Sequence, residues 1–149
     1  MKNFLVTSGE GWSVVVKEVL LHLRPGTIIT LSGPLGAGKT TFVQALAKEL
    51  GAKGSPRSPT FSLLRAYQLP KRGVLKRLVH VDAYRLEKPE DVIALDLDME
   101  LAEPGTIVTI EWPENIVGWI ERQKRPLVRM VISLDTHGAR RASVDFTNE

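Results

Sequence analysis

The chain has 149 residues, a length that suits one domain around a single core. Its 43% hydrophobic and 25% charged content is ordinary for a soluble globular protein, and a net charge of +3 is too mild to demand nucleic acid. The absence of cysteine excludes disulfides, thiolate metal sites and cysteine nucleophiles, and no apolar run is long enough to span a bilayer. The opening MKNFLVTSGEGW lacks the apolar core and cleavage site of a signal peptide, so a cytoplasmic protein is expected.

In chain order, a short strand is predicted over residues 3–6, with Thr7 or Ser8 as the cap of an amphipathic helix over 10–22 carried by Val14, Val15, Val19 and Leu20. Arg24-Pro25-Gly26 makes a turn into TIITLS (27–32), a run of β-branched residues expected as a buried strand. A helix is predicted over 40–51, where Phe42, Ala45, Leu46 and Leu50 recur at helical spacing and Gly51 is a stop. GAKGSPRSPT (51–60) is a loop. A strand over 61–69, a turn at 69–73 and a strand over 74–84 follow, then a helix over 89–101 opened by Pro89 and early acids. Residues 105–112 form a strongly apolar strand and 113–120 a short helix. RPLVRMVISL (125–134) and ARRASVDF (139–146) close the chain as an antiparallel pair. With no repeat or linker, the prediction is a single α/β domain over 1–149. It is P-loop NTPase-like and three-layered, with a mixed central sheet and a C-terminal antiparallel meander.

The most informative segment is GPLGAGKT (33–40), which fills the template G-x-x-x-x-G-K-[ST] with Gly33, Gly38, Lys39 and Thr40. Glycines let successive N–H groups close on phosphate oxygens, and the following helix adds the positive end of its dipole. Strand, glycine loop and helix is the context that such a loop requires. Gly33, Gly36, Ala37, Gly38, Lys39, Thr40 and Thr41 are therefore the candidate phosphate cradle. Lys39 is expected to reach the β- and γ-phosphates, and Thr40 to offer its hydroxyl to magnesium.

Hydrolysis or transfer also needs an acid for the metal and for the attacking group. Asp82 ends LVHVD and Glu111 ends TIVTIE, each after the apolar residues of a buried strand. One is expected to hold the ion and the other to position the nucleophile. Thr60, in the SPT of the Pro-rich loop, is a candidate switch residue toward the metal and γ-phosphate. Trp112 follows Glu111 and has two readings, a cover over the nucleotide site or core packing, of which the sequence favours packing. His80 lies two before Asp82 and shares its strand face. Three basic groups, PKRGVLKR (70–77), Arg122 with Lys124 and Arg125, and Arg140 with Arg141, read as solvated loops and turns, the other reading being a face for RNA or a partner protein.

GPLGAGKTT, SPTF (58–61), HVDAYRL (80–86) and EWPE (111–114), in this order in a short chain, resemble the TsaE (YjeE) family. These are bacterial P-loop ATPases that take part in forming threonylcarbamoyladenosine at position 37 of tRNA. The likeness implies ATP and Mg2+ as ligands, with Thr40 and Glu111 holding the metal, Asp82 near the γ-phosphate and Thr60 in a switch loop. It also implies Trp112 at the nucleotide and the segment from Thr7 and Ser8 to Glu10 near adenine and ribose. The implied partners are the TsaD and TsaB proteins, with tRNA met indirectly through the complex. A small-molecule or nucleoside kinase would use the same cradle, though the chain is short for a substrate domain and lid. A GTPase would need N-K-x-D, which the sequence lacks.

Overall fold

A computed structural model describes residues 1–53 and 63–147. Its core is a sheet of β1 (Lys2–Val6), β2 (Ile28–Ser32), β3 (Leu64–Arg72), β4 (Leu75–Asp82), β5 (Thr106–Glu111), β6 (Leu127–Leu134) and β7 (Arg140–Thr147). The strand order is β1-β7-β6-β2-β5-β4-β3. β2 runs parallel to β5 and β6, and β5 parallel to β4. β3–β4, β6–β7 and β1–β7 are antiparallel, which makes the sheet mixed. The antiparallel C-terminal set is thus a β6–β7 hairpin extended by a strand from the other end of the chain.

The helices are α1 (Trp12–Leu20), α2 (Lys39–Glu49), α3 (Pro89–Leu95), α4 (Leu97–Ala102) and α5 (Val117–Gln123). Because side chains alternate along a strand, each central strand feeds both faces of the sheet. Ile29, Leu31, Leu78 and Ile107 pack with Phe42 and Leu46 of α2 and Val15 and Val19 of α1. Ile28, Val79, Val81, Val108 and Ile110 pack with Leu97 and Leu101 of α4 and Trp119 and Ile120 of α5. Three layers result. No helix among the described residues is long and apolar enough to cross a membrane.

Four elements depart from expectation. Ser8 caps nothing with its side chain: its backbone is extended, its carbonyl accepts the Gly11 N–H at 3.0 Å, and a 3-10 turn over Gly9–Gly11 precedes α1. The buried face of α1 is therefore Trp12, Val15, Val16 and Val19, the i, i+3, i+4, i+7 set, and Val14 points outward. The helix expected over 89–101 is two, broken at Asp96, whose φ of 53° is one that Asp tolerates better than most residues. The turn expected at 69–73 is shorter. After a register shift between Gln68 and Arg72, pairing resumes as Arg72 opposite Leu75. Pro70 is accommodated because β3 is an edge strand.

Candidate nucleotide site

Parallel pairing brings the C-terminal ends of β2, β4 and β5 to one edge, with Glu111 opposite both Leu31 and Asp82. Ligands of open α/β sheets bind beyond such strand ends. There the chain leaves β2 through residues 33–38 and enters α2. Gly33 has φ 155°, and a Cβ on it would lie 2.6 Å from the Ile132 carbonyl oxygen. Gly38 has φ 109°, and its Cβ would lie 2.8 Å from the Trp12 ring. Both positions need glycine for conformation and for close approach.

Lys39 opens α2 and is buried. Its ammonium donates to the carbonyls of Gly33 and, at 3.0 Å, Pro34. It also sits 4.1 Å from the centroid of the Trp112 ring, a cation–π distance. Burial pushes the Lys39 pKa below its usual value, and the carboxylates of Glu111, Glu114 and Asp82 act against that shift.

Thr40 donates its hydroxyl to Glu111, 3.0 Å from Oε2 and 3.2 Å from Oε1. His80 Nε2 lies 2.5 Å from the same Oε2, with both side chains buried. His80 Nδ1 is buried without a partner among the described residues. The shared strand face of His80 and Asp82 is as expected, but the imidazole serves Glu111. Asp82 takes the Tyr84 N–H on Oδ1 at 3.1 Å, and the Tyr84 ring stands 4.9 Å from Trp112.

Lys39, Thr40, Asp82, Tyr84, Glu111 and Trp112 border a cleft of about 330 Å3. Its wall includes Gly36, Ala37, Gly38, Lys39, Thr40, Thr41, Asp82, Glu111 and Trp112. The indole of Trp112 thus faces the cleft and does not serve only as core packing, because a φ of 59° turns the chain there. Thr7, Ser8 and Gly33 are not among the lining residues, and Thr60 lies outside the described residues. Sequence reasoning left out Leu35, Leu63, Tyr84, Arg85 and Arg140, which also line the cleft. The YR of HVDAYRL marked Tyr84 and Arg85 by position. Nothing local marked Arg140, whose basic neighbours suggested a solvated turn. Arg77 departs from that solvated reading too, since it pairs with Glu100 at 2.5 Å.

The residues fit a magnesium–phosphate group. The first amides of α2 have no acceptor within the helix, and Thr40 and Glu111 set a hydroxyl and a carboxylate side by side. No cluster of three or more His, Asp or Glu that could hold a metal occurs among the described residues. Magnesium suits such a sparse site because it keeps several waters and takes phosphate oxygens as ligands.

Fold and loop together define a P-loop NTPase-like domain. A sequence profile described as threonylcarbamoyl adenosine biosynthesis protein TsaE matches residues 7–142, and the chain belongs to the TsaE family. A relative from Streptomyces coelicolor, named tRNA threonylcarbamoyladenosine biosynthesis protein TsaE, is 43% identical over 95 residues, covering 64% of this chain and 62% of the relative. The chain thus spans about three fifths of that relative's length. The Bacillus subtilis protein of the same name is 32% identical over 138 residues, 93% of this chain and 80% of the relative. The crystal structure of Bacillus subtilis YdiB is similar with a TM-score of 0.69 and 29% identity, covering 99% of this chain and 84% of that one.

Proposed function

We propose that this chain binds ATP with magnesium in the P-loop cleft and hydrolyses it slowly, in support of tRNA N6-threonylcarbamoyladenosine formation with TsaD and TsaB partners. The nucleotide part rests on one observation, the convergence of Lys39, Thr40 and Glu111 at the first turn of α2. The tRNA part rests on membership of the TsaE family. In this reading tRNA is met through the complex, and the protein works in the cytoplasm.

The amides at the start of α2 and the helix dipole receive the phosphate oxygens. Lys39, already stripped of much of its water, exchanges loop carbonyls for β- and γ-phosphate oxygens. Thr40 and Glu111 hold magnesium, which when bound offsets charge on the β- and γ-phosphates. His80 fixes the orientation of the Glu111 carboxylate. Asp82, anchored by the Tyr84 N–H, orients the attacking water and accepts its proton. Trp112 and Tyr84 shield one side of the cleft. Thr60 contributes from the switch loop, and the segment of Thr7 and Ser8 approaches the base and ribose.

Phosphate release from magnesium–ATP with no acceptor added tests the chemistry. Slow release that disappears in Lys39→Ala is expected. Strict dependence on a small-molecule acceptor would assign a kinase instead. With TsaD, TsaB and tRNA supplied, Lys39→Ala is expected to stop repeated rounds of modification, and undiminished modification would refute the coupling.

A further inference from the structure

A second cavity, of about 460 Å3, lies between α3 and α5. Its apolar wall is Val92, Ile93, Leu97, Ile116 and Trp119. The indole N–H of Trp119 donates to Asp98 Oδ1 at 3.1 Å, which fixes that part of the wall. Ile93 is 76% exposed, so the apolar surface continues from the cavity onto the outside of the molecule. A scattered exposed isoleucine is ordinary, but one at the mouth of an apolar cavity marks a place that another molecule can cover. One stretch of chain borders both cavities. Tyr84 and Arg85 line the nucleotide cleft, and Glu87 and Lys88 line this one. Asn115, also on this wall, donates to the carbonyls of Ala83 at 2.8 Å and Tyr84 at 3.3 Å.

Charge narrows the choice of occupant. Residues 87–103 hold seven acidic residues and one lysine, in a chain whose net charge is +3. Asp91 is taken by the start of α3 and Glu100 by Arg77. Glu87, Asp96 and Asp98 are exposed at the cavity, where Lys88 and Arg122 offset them only in part. Such a rim repels a polyanion such as RNA and attracts lysine and arginine side chains. Among the described residues no strand residue lines the cavity, so an occupant finds no open sheet edge to pair with. Its backbone must bond to itself, as a helix does, while its side chains supply the apolar anchors.

We propose that the cavity between α3 and α5 is the docking site for a basic, amphipathic helix of a protein partner. Apolar side chains of that helix pack on Ile93 and Trp119, and its lysines or arginines face Glu87 and Asp96. The proposal rests on the reading of TsaD and TsaB as partners. It seats the partner on the stretch of chain that, four residues earlier, walls the nucleotide cleft.

The test is calorimetric titration of the TsaD–TsaB pair, with magnesium–ATP present, into the full chain and three variants. Ile93→Glu is expected to weaken association about tenfold or more, the scale of losing an apolar anchor. The double variant Glu87→Lys, Asp96→Asn is expected to weaken it several-fold, with the gap closing as salt is raised. Asparagine at position 96 tolerates the left-handed backbone there. Leu21→Glu, 78% exposed at the end of α1, is the control and is expected to match wild type. Unchanged magnesium–ATP affinity and thermal unfolding in all three show that fold and nucleotide site are intact. Wild-type association in either Ile93→Glu or the double variant would overturn the proposal, and so would an equal loss in Leu21→Glu. Self-association of the wild type in sedimentation, abolished by Ile93→Glu, would give the groove to a second copy of this chain and overturn it too. Failure of the wild type to associate with TsaD–TsaB would overturn the partner reading, and the proposal with it.

Discussion

Three side chains press on one carboxylate. Thr40 and His80 both bond Glu111, and the Lys39 ammonium feels its charge more than that of Glu114 or Asp82. Removing that charge while keeping the shape should therefore harm chemistry more than folding. Glu111→Gln is expected to lower magnesium-dependent phosphate release by roughly 100-fold, the scale of losing one preorganised electrostatic group. Unchanged turnover across a magnesium titration would contradict the assignment. His80 carries a structural load as well. In His80→Ala the Glu111 oxygen loses its 2.5 Å partner inside the protein, and a loss of about 1–3 kcal/mol is expected in urea unfolding. At this scale Lys39, Thr40 and Glu111, which the structure brings to one cleft, could be singled out in the sequence because motif spacing and strand-end position are local signals. It did not reveal the partner of His80 or the inward turn of Arg140, which depend on pairing between distant strands.

The elements around the site differ in how they are held. α2 grows directly from the loop, so the cradle and the helix dipole form one unit. α3 is fastened by Asp91, whose carboxylate accepts the N–H groups of Glu87 and Lys88, both at 3.0 Å. These two backbone bonds hold its pKa below the ordinary 3.8. A lowered carboxyl pKa contributes stability above the unfolded value and loses it as pH falls through the folded value. Asp91→Ala is thus expected to be less stable than wild type at neutral pH, with the gap narrowing below the ordinary 3.8. A gap independent of pH in paired unfolding curves would argue against the cap. Strands and main helices were legible because their apolar periods are long and regular. The break at Asp96 was not, because ALDLDMEL keeps helical composition through a residue that turns left-handed. The cap at Ser8 misled because its carbonyl, and not its hydroxyl, makes the bond.

For the molecule as a whole, the sheet divides labour between its faces. One carries α1 and α2 with the glycine loop, and the other is closed by α4 and α5. Phe42 ties the site to the first of these cores, since it is fully buried one turn into α2 and meets Trp12 edge-on at 5.8 Å. Phe42→Ala should cost about 3–5 kcal/mol in unfolding free energy and loosen the loop above it. A loss within the range of surface substitutions, roughly 0.5 kcal/mol, would mean that the core does not support the site in this way. The three-layer plan was readable from alternating strand and helix signals. The strand order was not, because β1 joins β7 across the whole chain and no local pattern records that pairing. The central claim, that this edge of the sheet grips a triphosphate, is tested most directly by titrating magnesium–ATP into wild type and Lys39→Ala in a calorimeter. One nucleotide bound per wild-type chain, with binding lost in the variant, is the result expected. No uptake by folded, magnesium-replete wild type, or equal uptake by both proteins, would contradict it.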